Sequence, residues 1–260
     1  MQEVSVGRLC AEIDASTAAI AGLIGEAGLA SPVPTCPDWT LRELAVHVGR
    51  GHRWAAEIVG TRSAEFIPFR SVPDGKFPAE SGERGAWLRA GAARLIDAVQ
   101  AAGGDLVWTF GGQRPASFWA RRMAHETAVH RADAEFAAGR EPELLAPDLA
   151  ADAIDEWLGF MSAEMTDGAS DPRADALPAG RALHLHATDD ALAGAGEWTL
   201  RHEPSGITLS RSHGKGDAAL RGPAARLLLV LVRRLPPDDP AVEVIGDAAV
   251  LARWLERTPF

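Results

Sequence analysis

Apolar residues recur at helical spacing through the first two-thirds of the chain, and alternate with polar ones in the last third. Residues 4–26 (VSVGRLCAEIDASTAAIAGLIGE) carry the helical pattern. After the proline-rich stretch SPVPTCPDWT, Thr40 and Glu43 form a T-x-x-E capping box that opens a second helix, LRELAVHVGRGHRWAAEIVG, over 41–60. Residues 61–80 hold three prolines and few periodic positions, which predicts a long connection. A third helix over 83–102 ends at Gly103-Gly104, and a fourth, from about 116 to 138, ends at Gly139. Four helices with one long crossover predict a four-helix bundle. A further helix over 148–165 either packs on it or leads away from it. Residues 166–180 are turn formers and read as a linker. The segments RALHLHAT, GEWTLRHE and GITLSRS then alternate as strands, with Pro204-Ser205-Gly206 as a turn. A strand, a turn and a buried helix follow in DAALRGPAARLLLVLVRRLPP, and a strand and terminal helix in VEVIGDAAVLARWLERT. The expected architecture is α plus α+β: a helical bundle over residues 1–165 and a small α+β domain over 181–260.

Composition narrows the partners more than the fold. The 260 residues carry a formal charge of −10, which argues against nucleic acid or an anionic membrane as the main partner. Two cysteines, Cys10 and Cys36, make no disulfide framework and fit a reducing compartment. The start, MQEVSVGRLC, lacks the pattern of a signal peptide, and the aliphatic run 227–232 is too short to span a bilayer. These features predict a cytoplasmic protein, monomeric or homodimeric.

The chemistry concentrates in the fourth helix, where MAHETAVHRADAEF (123–136) sets two histidines, two glutamates and an aspartate among apolar residues. Glu126 and His130 are four apart and share a face, and Asp133, three further on, stays with them. Trp119, Arg122 and Met123 lie on that face, while His125 points about a quarter-turn away. A carboxylate and an imidazole aimed at one point suit a metal, and catalytic zinc takes three such ligands with one position open. The plainer reading of the same spacing is a surface ion pair. The segment is not an HExxH motif. A third ligand must come from another helix, and the second offers His47 and His52. The helical wheel centres His52 on the Leu41/Ala45/Val48/Ala55 face and puts His47 on its flank, slightly favouring His52 provided Gly49 and Gly51 do not break the helix. Either histidine alone reads equally as a core residue bonded to backbone.

Two long segments, VPTCPDWTLRELAVHVGRGHRWA (33–55) and WARRMAHETAVHRADAE (119–135), resemble the second- and fourth-helix signatures of the mycothiol-dependent maleylpyruvate isomerase family, within the DinB-like superfamily. The region from RGPAARLLLVLVRR to VEVIGD is similar to the small C-terminal domain of that family, which looks like a sterol-carrier fold. The resemblance implies a DinB-like bundle holding one divalent metal, usually zinc, through His47, Glu126 and His130. It thereby prefers His47 to His52, with the glycines of the second helix as a reason for a shifted phase. It implies mycothiol as thiol cosubstrate and an electrophilic small molecule as substrate, in an S-transferase or cis–trans isomerase reaction. Asp133 would orient His130, or pair with Arg131 or Arg122. Arg221 would supply a cation for an anionic substrate from the second domain, and Trp54 and Trp119 would wall the pocket or simply pack the core. Two other functions stay open on the residues: a metal-dependent hydrolase at the same site, and a non-enzymatic module in which the small domain binds an apolar ligand.

Overall fold

The computed structural model describes residues 4–162 and 172–260; the expected end of the helix over 148–165 and residues 166–171 of the linker lie outside them. The chain divides into two compact units, residues 5–143 and 144–260. The first contains helices α1 (Val6–Glu26), α2 (Leu41–Gly60), α3 (Ser81–Ala102) and α4 (Ser117–Ala137), and a hairpin of β1 (Leu106–Thr109) and β2 (Gly112–Pro115). Helices α1 and α2 each pack against both α3 and α4, so α2 and α4 are neighbours. Leu23, Ile24, Leu41, Leu44, Val48 and Leu88 form one of the apolar clusters that this arrangement buries. The second unit contains α5 (Pro147–Phe160), β3 (Ala182–Ala187), β4 (Glu197–Glu203), β5 (Gly206–Ser210), β6 (Ala218–Gly222), α6 (Ala224–Leu231), β7 (Glu243–Gly246) and α7 (Ala248–Arg257). Its sheet has the order β5-β4-β3-β6-β7, with β3 and β6 parallel and the other pairs antiparallel. Among the described residues no helix is long and apolar enough to cross a membrane.

The local signals act as their chemistry dictates. The Thr40 hydroxyl accepts from the Arg42 amide, while the Glu43 carboxylate accepts from the Thr40 amide at 3.1 Å and from its hydroxyl, closing the capping box. Gly103, with φ of +55°, ends α3 in a conformation that suits glycine. The boundary between the units falls after Glu143 rather than after 165. The reason is that α5 packs on α6, and its Asp155 accepts from Trp198 Nε1 at 3.3 Å and from Arg211 Nε at 2.5 Å. The hairpin over 106–115 is not predicted by periodicity. Its strands have four residues each, and β2 (GQRP) is exposed throughout, so no alternation marks it.

Helix α2 runs unbroken through Gly49 and Gly51. Gly49 is there because the Trp87 indole of α3 occupies its side-chain space: a Cβ at 49 would lie 2.1 Å from a ring carbon. The Arg53 guanidinium, one turn on, sits 4.1 Å above the same ring and donates to the carbonyls of Gly49 and Trp87. The phase shift expected from the glycines is therefore absent, and the two histidines keep the faces that the wheel assigns them.

Candidate metal centre

Helix α4 is buried almost all round from Trp119 to Glu135, so its ionisable groups must find partners within the fold. Glu126 finds His47 of α2, with Oε1 3.0 Å from Nε2, and Arg122 one turn back, whose Nε stands 3.5 Å from Oε2. His130 lies one turn on, its ring 4.9 Å from that of His47 in an edge-to-face arrangement. One ligand atom each from His47, Glu126 and His130 falls within 4.8 Å of the others. Exposure falls along the set: the side chains of His47, Glu126 and His130 are 37%, 24% and 5% exposed, so the cluster opens to solvent at His47.

Electrostatics keep the carboxylate charged. Burial alone would raise the Glu126 pKa, but the hydrogen bond from His47 and the positive field of Arg122 and the two imidazoles outweigh it and hold it down to about 2. Asp133 is fully buried and holds His130 from behind, with Oδ2 2.9 Å from Nδ1. Its other oxygen accepts from the Thr35 hydroxyl at 2.5 Å, and the Cys36 thiol lies 3.7 Å from Oδ2. Asp133 thus pairs with His130. Arg131 instead donates to the Glu143 carbonyl.

The proline-rich loop supplies what periodicity missed. An isolated bridge between Pro32 and Thr40, with Val33 N–H donating to the Trp39 carbonyl at 2.9 Å, folds this loop back on itself. That places Thr35 and Cys36 on Asp133 and Trp39 against the imidazoles, with ring centroids 4.9 Å from His47 and 5.8 Å from His130. The only sequence signal for this was the run TCPDW immediately before the capping box.

His52 lies elsewhere. It is buried, and its Nε2 is 2.8 Å from the Thr127 hydroxyl, which itself donates to the Met123 carbonyl. His52 therefore donates, and Nδ1 has no partner among the described residues. Burial above all pushes its pKa down to about 4. Trp54 and Trp119 pack against each other at 5.0 Å within an aromatic cluster with Trp108 and Phe110, their indole N–H groups bonded to the carbonyls of Ile67 and Trp108. They are core. Arg221 lies on β6 in the second unit, half-exposed, with Nη1 3.7 Å from the Glu243 carboxylate of β7. One turn beyond His47 on α2, Arg50 lines a cavity of about 320 Å³ with Arg70, Lys76, Phe69, Val72 and Gly75.

Comparison with known proteins gives this constellation a context. Residues 10–135 match the mycothiol maleylpyruvate isomerase N-terminal domain, and residues 148–253 match the C-terminal domain of the same family. The chain belongs to the mycothiol-dependent maleylpyruvate isomerase family. The two matched segments fall within the two compact units, and the family is one of enzymes. Two crystal structures of a mycothiol-dependent maleylpyruvate isomerase, one a histidine-to-alanine mutant, share the fold. The mutant has a TM-score of 0.57 at 13% identity and the other 0.54 at 15%, each alignment covering 93% of this chain and 93% of the other. No curated protein matches the sequence.

Proposed function

We propose that this chain is a metal- and mycothiol-dependent enzyme that activates a thiol for addition to an electrophilic small molecule, as an S-transferase or a cis–trans isomerase of the maleylpyruvate type. The observation that carries the reading is the convergence of two imidazoles and one ionised carboxylate, from two helices, on one solvent-reaching point. Two nitrogens and one oxygen are the donor set of catalytic zinc, and membership of the family supplies the thiol. Zinc held there would bring a thiol to its thiolate at neutral pH.

The protein's own residues set the conditions for that chemistry. Asp133 accepts from His130 Nδ1–H, which fixes the tautomer and leaves Nε2 as the ligand nitrogen. Arg122 and His47 keep Glu126 anionic. Trp39 covers the imidazoles and limits water around them. Arg50, one turn beyond His47 on α2, lines a cavity with Arg70 and Lys76 whose cationic character would suit a carboxylate substrate. Arg221 is a second cation proposed for substrate binding, half-exposed on β6.

Metal analysis of the purified chain beside His47→Ala, Glu126→Gln and His130→Ala tests the reading. Each variant is expected to lose about one zinc equivalent relative to wild type. In the Co²⁺-substituted protein, an added thiol is expected to shift the visible spectrum through sulfur–metal charge transfer. A thiol that leaves the spectrum unchanged would replace this reading with a hydrolase, in which water and not sulfur holds the open position.

A further inference from the structure

A second constellation lies in the C-terminal unit, on elements other than those that carry His47, Glu126 and His130. On β3, Leu183 and Leu185 are fully buried, so His184 and His186 point to the other face of the sheet. In the β3–β4 register His184 opposes Thr199 and His186 opposes Glu197, which brings Glu197 onto that same face. His213 comes from the loop between β5 and β6. Glu197 Oε2 lies 2.9 Å from His184 Nε2 and 2.6 Å from His213 Nδ1, so two imidazoles aim at a single carboxylate oxygen.

The loop is built to lie on the strands. A Cβ on Gly214 would stand 2.4 Å from the Thr199 hydroxyl, and one on Gly216 2.4 Å from the Ala218 carbonyl and 2.8 Å from the His184 amide nitrogen. Only glycine allows this approach on both sides of Lys215. Thr199 Oγ1 ties the loop further by donating to the Ser212 carbonyl at 3.2 Å. His184 is buried and His213 is 77% exposed, so the set has a fixed inner ligand and an accessible outer one.

We propose that His184, Glu197 and His213 form a second metal site, taking Zn²⁺ or a similar late first-row divalent ion. The donor atoms already lie within 4.8 Å of one another. Tetrahedral zinc with bonds of about 2.0–2.2 Å holds its donors roughly 3.4 Å apart. The His184–Glu197 contact must therefore open by roughly 0.5 Å, a small shift of the Glu197 carboxylate, and the His213–Glu197 contact by roughly 0.8 Å, which a rotation of the exposed His213 supplies. Two imidazole nitrogens among three donors favour zinc over calcium or magnesium. A bound ion would pin the loop to β3 and β4 and leave a coordination position facing solvent.

The test is a zinc titration of the metal-stripped full chain against a chromophoric chelator at neutral pH, with circular dichroism confirming each fold. Wild type is expected to bind about two ions, His213→Ala about one, His47→Ala about one, and the double variant none. Glu197→Gln keeps the side-chain shape but removes the anionic donor, and is also expected to bind about one. The proposal is overturned if His213→Ala or Glu197→Gln binds as many ions as wild type. That outcome is separate from failure of the bundle site, which appears as an unchanged count in His47→Ala.

Discussion

Asp133 Oδ2 stands 2.9 Å from His130 Nδ1, and the aspartate behind that contact has no exposed surface at all. A buried carboxylate held this way fixes the imidazole's tautomer and raises its basicity as a ligand. Asp133→Ala is expected to weaken metal affinity by ~10–100-fold, and Asp133→Asn by less because the amide oxygen still accepts from Nδ1–H. Competition with a chelator measures both. Equal affinity in Asp133→Ala and wild type would assign Asp133 to packing alone.

The two glycines of α2 make a contrasting pair. Alanine is favoured over glycine in a helix interior by about 1 kcal/mol. At Gly51 the nearest obstacle to a Cβ is the Met123 sulfur at 3.9 Å, so Gly51→Ala is expected to stabilise by up to that amount. At Gly49 the Trp87 ring occupies the space, and Gly49→Ala is expected to destabilise by ~1–3 kcal/mol, as overpacking does. Urea unfolding of the two variants gives the signs, and matching signs would refute the assignment.

His52 sets a pH dependence. Its folded pKa of about 4 lies below the ordinary 6.5, so between those values the unfolded chain binds the extra proton and stability is lost as pH falls. At about 1.4 kcal/mol per pH unit, the gap between 6.5 and about 4 bounds the loss at roughly 3.5 kcal/mol, complete below about pH 4. Wild type is therefore expected to lose about 2–3 kcal/mol more than His52→Gln when urea unfolding is compared at pH 7 and pH 4.5. Parallel losses in the two proteins would mean that His52 is already charged in the fold.

Trp39 is placed to report on the proposed centre, because its ring stands against the imidazoles of both His47 and His130. Co²⁺ binding is expected to quench tryptophan fluorescence in wild type, and Trp39→Phe to remove most of that change while the metal still binds. Full quenching in Trp39→Phe would place the ion nearer another indole.

Sequence and structure agree where local chemistry decides. The capping box at Thr40, the glycine stops at 103 and 139, and the alternating strands from 182 onward are local signals, and each element forms where its signal stands. The histidine that joins Glu126 and His130 was harder to read. The wheel centres His52 because it marks the face most deeply buried, and His52 is indeed buried. The proposed centre, with an open coordination position, needs solvent, and the flank of α2 offers it, for His47 is more than a third exposed. Hydrophobic periodicity reports burial, not access. Nor could it report Trp39, Thr35 or Cys36, whose places depend on how a loop closes onto α4. Helix α5 shows the same limit, since a helix's own pattern gives its apolar face but not which unit covers it.

The most direct test of the central claim is metal content after purification without chelator, wild type beside His47→Ala and His52→Ala. About one zinc equivalent is expected to be lost in His47→Ala and none in His52→Ala, which only destabilises the fold. Retention of the metal in His47→Ala, or its loss in His52→Ala, would contradict that claim.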